Sequence, residues 1–420
     1  MSKRLRANIS WLALIKITNI LLPLITLPYL TLKLGAELFG VFAIGVAIQQ
    51  IVLSICDYGF GVFAPKLTAE NSDKPKVLGK LISAISIIKL LIFISISFII
   101  LIILQLIDSS EQYKNIWLLM LLPALIQSLI PVWLFLGVEK MVKITISTII
   151  ERLIYTALIF SLVLTQSDIE LIPLIMTVSL STSLLVSVFF VWHLNIRLEK
   201  VSISYLVELI KEGWGYFYSR LTMLLFSKFN IIIVASVLGE AQAGYFSLAE
   251  RIYNTGRSLI APLTDALYPH MVKTKNWNMA YKIIKLAGIF ALSSILITYL
   301  ISDWFFVTVF SAQEFLQASE IFKILILAFA FSIISMMIGY PVLGVVGHVK
   351  AVNFSVLIGA SAHLIIIAAL WCGDLLTGKS LALSLVFTEG FIFLYRLKYL
   401  KHSKVFHEAS LQQKTNGVAS

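Results

Sequence analysis

Apolar runs of about 20 residues recur along almost the whole chain, separated by short polar breaks. A hydrocarbon layer of ~30 Å needs about 20 helical residues at ~1.5 Å each, so each run predicts a membrane span. The pattern predicts spans at 10–31, 41–62, 81–105, 116–137, 144–166, 171–194, 214–239, 245–270, 283–303, 320–342, 351–372 and 379–400. The expected fold class is therefore all-α, a polytopic membrane protein with about twelve transmembrane helices. The longest break holds SYLVELIKEGW, with Tyr205, Leu206, Leu209 and Ile210 on one side and Glu208, Lys211 and Glu212 elsewhere. That predicts an interfacial amphipathic helix. It divides the chain into a six-helix lobe at 1–200, a linker at 201–213, a second six-helix lobe at 214–402 and a polar tail at 403–420, as in a duplicated transporter.

Composition agrees. Hydrophobic residues make up 59% of the chain and charged residues 13%, against roughly 25% charge in a soluble domain. The mean hydropathy is +0.94. A net charge of +11 would suggest nucleic acid in a soluble protein; here it is better explained by basic cytoplasmic loops, so no nucleic-acid partner is expected. With the N-terminus inside, 22 lysines and arginines fall in inside segments and only Lys33, Lys114 and Lys379 outside. Both termini are thus expected in the cytoplasm. The first apolar run is too long for a signal peptide and shows no small-residue cleavage site, so an uncleaved first span is expected. Cys56 and Cys372 read as small hydrophobes. The histidines show no ligand spacing and no phosphate-binding glycine loop appears, so neither a metal nor ATP is expected.

The charges left inside the spans carry the functional signal, because each must face protein or water. Spans 1, 2, 7 and 8 hold Lys16, Asp57, Arg220, Lys228, Glu250, Arg251, Arg257 and Asp265. On a helical projection of span 8, Glu250, Asn254, Arg257, Asp265 and Tyr268 share one narrow sector, with Leu248, Ile252, Leu259 and Leu263 opposite. Lys228 and Arg257 fall near mid-depth, with no acid of these four spans at their level. They are the expected centre of a cationic site, with Arg220, Arg251 and Asn254 as further contacts. Lys16, Asp57, Asp265 and Glu250 are expected in flanking layers that pair and unpair as gates; static salt bridges are the alternative for the same charges. Lys89, Glu151 and Arg152 read as snorkelling or locally paired groups. Glu320 and Lys323 read as a pair at the start of span 10, and Glu389 as a carboxyl without an obvious partner. The prolines, among them Pro23, Pro28, Pro123, Pro131, Pro262, Pro269 and Pro341, mark places where spans could bend.

Three landmarks then resemble a known family. They are Asn19-x3-Pro23-Leu24 with Leu27-Pro28-Tyr29-Leu30 and Leu34-Gly35; Asp57-Tyr58-Gly59-Phe60; and Gly244-Tyr245, Ala249-Glu250-Arg251, Pro262 and Ala266-Leu267-Tyr268-Pro269. In order and spacing they resemble Wzx-type O-antigen flippases, the polysaccharide exporter branch of the superfamily that also holds multidrug exporters. Lys33 and Lys66 stand where members often carry arginine. The resemblance implies a multi-pass protein of the bacterial inner membrane and no enzymatic activity. The implied cargo is an undecaprenyl-diphosphate-linked oligosaccharide repeat unit, moved from the cytoplasmic to the periplasmic leaflet by alternating access. Membrane lipids, and the polymerase and chain-length proteins of the same pathway, are the implied partners. Coupling to a proton or sodium gradient is compatible with the superfamily, and no cofactor is implied. The competing expectations are a multidrug or organic-cation antiporter of the same fold, whose site should favour acids, and a lipid II flippase, which usually carries two further helices. A polymerase or ligase would need a large periplasmic loop, and none is present.

Overall fold

The computed structural model describes residues 3–106, 111–310 and 313–403, with side chains described except at 3–10, 12, 13, 16, 111 and 219–229. Fourteen α-helices in chain order are α1 Lys3–Asp57, α2 Phe60–Glu70, α3 Pro75–Leu106, α4 Lys114–Leu119, α5 Leu121–Leu129, α6 Val132–Gly137, α7 Met141–Leu162, α8 Leu171–Trp192, α9 Ile203–Leu238, α10 Glu240–Thr274, α11 Trp277–Val309, α12 Leu316–Ile338, α13 Val349–Cys372 and α14 Gly378–His402. There is no strand among the described residues. Nine stretches are long and apolar enough to cross a membrane among the described residues, and one of them, Ile17–Glu70, has 54 residues. At ~1.5 Å per residue that stretch is long enough to cross twice. The more polar α9 and α10 have 36 and 35 residues and complete a pattern consistent with about twelve spans.

The bends do not fall where the prolines alone would put them. In α1, Pro23 and Pro28 lie inside continuous helix, and the helical path breaks instead at Gly35, with φ 72° and ψ 178°. A side chain is not tolerated in that conformation, so glycine separates the first two spans. Pro262 and Pro269 are likewise carried within α10. Pro131 does interrupt: it separates α5 from α6, so the fourth predicted span is three short helices. Pro341 lies in a π-helical turn, Gly339–Gly344, which follows α12. The predicted linker at 201–213 is not a separate helix; from Ile203 it runs on into the seventh span as α9.

The chain forms two compact units, Met1–Ser236 and Val237–Ser420. In the first, α1 packs against α3, α5 and α7, and α8 against α5 and α7. Trp117 Nε1 donates to the Val41 carbonyl (3.1 Å), and Gln49 bonds Gln127 (3.2 Å), which fastens α4 and α5 to α1. In the second, α12 is the central element, packed against α10, α11 and α14, with α13 against α14. Its sequence allows this position: small residues such as Ala318, Ser319, Ala328, Ala330, Ser332 and Ser335 are buried along it, so neighbouring helices approach closely.

Candidate functional site

In the second unit, Arg257 sits at the middle of the 35-residue α10. Its Nη1 lies 3.0 Å from Glu389 Oε1, near the middle of α14. The same Nη1 donates to Tyr253 Oη at 3.0 Å, one turn away on α10, and the Tyr253 hydroxyl donates to Glu389 Oε1 at 3.5 Å. The guanidinium carbon is 5.5 Å from the Tyr253 ring centroid. Packing fixes this triad. Tyr253 is 4% exposed and meets Phe329 of α12 edge-on at 6.4 Å. Gly256 faces the same ring: a Cβ there would come within 2.9 Å of Phe329, so glycine lets α10 settle on α12.

The arginine fork is only partly used. Among the described residues, Arg257 Nε and Nη2 have no hydrogen-bond partner, and the side chain is 35% exposed while Glu389 is 12% exposed. The guanidinium is thus anchored at one nitrogen and presents its other donors outward. That arrangement suits two oxygens of a phosphate, which a guanidinium binds through paired N–H groups.

The remaining predicted residues are placed as follows. Glu250 is buried, two turns before Arg257 on α10. Arg251 is half-buried, and its Nε donates to Ser247 Oγ at 3.3 Å. Asn254 and Asp265 are exposed on the same helix. The side chains of Lys16, Arg220 and Lys228 lie outside the described residues. In the first unit, Asp57 ends α1 and accepts the Gly61 N–H at 3.2 Å through each of its two oxygens, which caps the start of α2. It also lies 3.9 Å from Lys89 Nζ.

Several readings of the sequence are corrected by these contacts. Glu389, read as lacking an obvious partner, bonds Arg257, so the acid beside the mid-depth cation comes from outside spans 1, 2, 7 and 8. Lys89 takes the locally paired alternative and does not snorkel: it sits near the middle of α3, is 4% exposed, lies 3.9 Å from Asp57 and donates to the Ser128 carbonyl at 2.7 Å. Glu320 and Lys323 do not pair with each other; Lys323 bonds Asp303 at 2.6 Å and Glu320 bonds Lys379 at 2.5 Å. Arg152 does have the expected local pair, with Glu151 at 3.4 Å. Arg396, in the last turns of the final span, is 8% exposed inside the second unit. Its guanidinium donates to Ser355 Oγ (3.0 Å) and to the Ser335 carbonyl (2.9 Å). It fills the space beside Gly339, where a Cβ would lie 2.9 Å from Nη1. The sequence signal for Glu389 and Arg396 was their presence seven residues apart in an apolar helix, which puts both on one face.

The profile of the family described as "Polysaccharide biosynthesis protein" matches residues 5–275. The chain belongs to that family. Two relatives carry the description "Putative O-antigen transporter". One, from Escherichia coli K12, is 31% identical over 283 residues, 67% of this chain and 68% of that protein. The other, from Shigella dysenteriae, is 25% identical over 417 residues, 94% of this chain and 100% of that protein. Among solved structures, the lipid II flippase MurJ in an inward closed conformation aligns with TM-score 0.65 and 17% identity, over 96% of this chain and 90% of that one. An inward-facing multidrug transporter of the MATE family, from the MOP superfamily, aligns with TM-score 0.65 and 13% identity, over 94% and 99%. These two structures establish the fold.

This polysaccharide biosynthesis protein is therefore a multi-pass membrane transporter and not an enzyme, and the Wzx-type resemblance of its three landmarks agrees with its relatives. The second landmark has a structural explanation. Tyr58 (φ 47°) and Gly59 (φ 85°) form a left-handed turn between α1 and α2. There Tyr58 stacks on Phe217 at 4.6 Å and its hydroxyl donates to the Ile210 carbonyl at 3.3 Å, so the turn holds α9. The first part of the third landmark is enclosed in the second unit, with Gly244, Tyr245, Ala249 and Glu250 buried, whereas Pro262, Ala266 and Pro269 are exposed. Lys33, at an arginine position of the pattern, lies 5.6 Å from the Tyr29 ring.

Proposed function

We propose that this transporter moves an oligosaccharide repeat unit linked to undecaprenyl diphosphate from the cytoplasmic to the periplasmic leaflet of the bacterial inner membrane. Both termini face the cytoplasm, and transport proceeds by alternating access along a cationic path. The observation that carries the proposal is Arg257: a mid-helix guanidinium, one-third exposed, anchored through one nitrogen and with its other donors unoccupied among the described residues. A diphosphate needs such a contact inside the membrane, and the relatives' descriptions supply the glycan class. Within the second unit, Arg251 and Asn254 extend the cargo-binding set around Arg257, and Asp265 and Glu250 form the gating layers. A proton or sodium gradient drives the cycle. Membrane lipids surround the path, and the polymerase and chain-length proteins of the pathway receive the product. An organic-cation antiporter fits less well, because the mid-depth carboxylate, Glu389, is already matched by a cation.

The test is transport of a fluorescent undecaprenyl-diphosphate oligosaccharide in proteoliposomes. Arg257→Gln should lose at least about tenfold in rate, the scale of a charge-assisted phosphate contact, at equal amounts of folded protein. Unchanged transport by Arg257→Gln would overturn the assignment, as would wild-type protein that moves organic cations but not the lipid-linked glycan.

A further inference from the structure

Glu389 has no place in the cargo-facing set, yet it is the nearest charge to the cation proposed to hold the cargo. Its Oε1 lies 3.0 Å from Arg257 Nη1 and 3.5 Å from the Tyr253 hydroxyl. Two effects follow from that position. First, a carboxylate and a buried phenol that share one guanidinium nitrogen orient the fork, so the unused Nε and Nη2 face the exposed side. Second, a negative charge fixed beside the cation opposes any second anion that binds there, because like charges in a poorly solvated site repel strongly. Further charged groups lie along the same two helices. Glu250 lies two turns before Arg257 on α10, and Arg396 lies two turns after Glu389 on α14, held by Ser335 and Ser355. Phe329, which α12 contributes to the contact, is uncharged.

We infer that Glu389 is the resident counter-ion of Arg257 and limits how tightly the cargo's diphosphate is held, so that the cargo can leave. A transporter must release what it binds, and a lone arginine at mid-depth would retain a polyanion. Glu389 neutralises Arg257 in the empty state, stays bonded to Nη1 while cargo occupies the free donors, and weakens that complex by its charge. It is a positioning and affinity-setting residue, since its contact is with Arg257 and Tyr253. This inference rests on the assignment of Arg257 to the diphosphate.

Glu389→Gln separates the two effects: the amide oxygen can still accept from Arg257, but the charge is gone. With the fluorescent undecaprenyl-diphosphate oligosaccharide in proteoliposomes, Glu389→Gln should lower KM by about tenfold and lower kcat as well, the pattern of a lost ground-state destabilisation. Glu389→Asp, which keeps the charge, should restore kcat towards wild type. Equilibrium binding of undecaprenyl diphosphate to the purified full chain in nanodiscs gives a readout independent of turnover. Glu389→Gln should bind about tenfold more tightly, and Glu389→Gln with Arg257→Gln should lose the gain. An unchanged or weaker affinity in Glu389→Gln overturns the inference while leaving Arg257 as the cargo contact. Normal transport by Arg257→Gln overturns the parent assignment instead.

Discussion

Lys89 with Asp57 in the first unit and Arg257 with Glu389 in the second each set a cation beside a carboxylate from another helix inside the membrane, and the two arrangements differ in what is left over. In the first unit, Lys89 is 4% exposed. It has the Ser128 carbonyl at 2.7 Å and Asp57 at 3.9 Å, and Asp57 also caps α2. In the second, Arg257 is 35% exposed with only one nitrogen bonded. A charge inside a membrane protein is commonly taken as a functional site. The contrast shows that exposure and unspent donors separate a site from a scaffold. Lys89–Asp57 joins α1, α2 and α3, with Lys89 enclosed and already bonded to the Ser128 carbonyl. Arg257–Glu389 is anchored and still open.

The largest expected effect that would break this comparison is on the stability of the first unit. Lys89→Met removes the cation beside Asp57 and the donor to the Ser128 carbonyl; breaking a fully buried pair costs roughly 3–5 kcal/mol, and the 20% exposure of the Asp57 side chain lowers that figure. A thermal melt in detergent should show a markedly lower midpoint for Lys89→Met and a small change for Arg257→Gln. Equal melts would remove the distinction. A smaller effect is expected at the turn beside Asp57. Gly59→Ala forces a side chain into the left-handed region, which costs about 1–2 kcal/mol, and its Cβ would come within 2.6 Å of Tyr216 Cβ. Limited proteolysis should then cut more readily between α1 and α2. The smallest effect sharpens the second unit. Tyr253→Phe removes the hydroxyl's two charge-assisted contacts, with Arg257 and Glu389, but leaves the direct Arg257–Glu389 pair, and should reduce transport only a few-fold with little change in the melt. A loss as large as that of Arg257→Gln would mean that the hydroxyl, not the cation, faces the cargo.

Much of the architecture could be read from hydropathy, because bilayer thickness sets the length of an apolar span. The polar stripe of α10 and the choice of Arg257 followed from helical periodicity for the same reason. What could not be read was which helix answers which charge. Glu389 pairs with Arg257 across 132 positions of chain, Lys323 with Asp303 and not Glu320, and Arg396 turns inward onto Ser335 and Ser355. Each depends on the rotation of packed helices about their own axes, which local periodicity does not determine. The bend at Gly35 was obscured for a different reason. Pro23 and Pro28 are the conventional kink signals, but the preceding helix absorbs them, whereas the φ of 72° at Gly35 excludes a side chain.

The central claim is that the two intramembrane pairs do different work, and one measurement addresses it directly. Transport of the fluorescent undecaprenyl-diphosphate oligosaccharide is compared between Lys89→Met and Arg257→Gln in proteoliposomes, normalised to folded protein. The account predicts that each folded Lys89→Met molecule transports at close to the wild-type rate, while folded Arg257→Gln loses at least about tenfold. Near-normal transport by Arg257→Gln together with loss in folded Lys89→Met would contradict it.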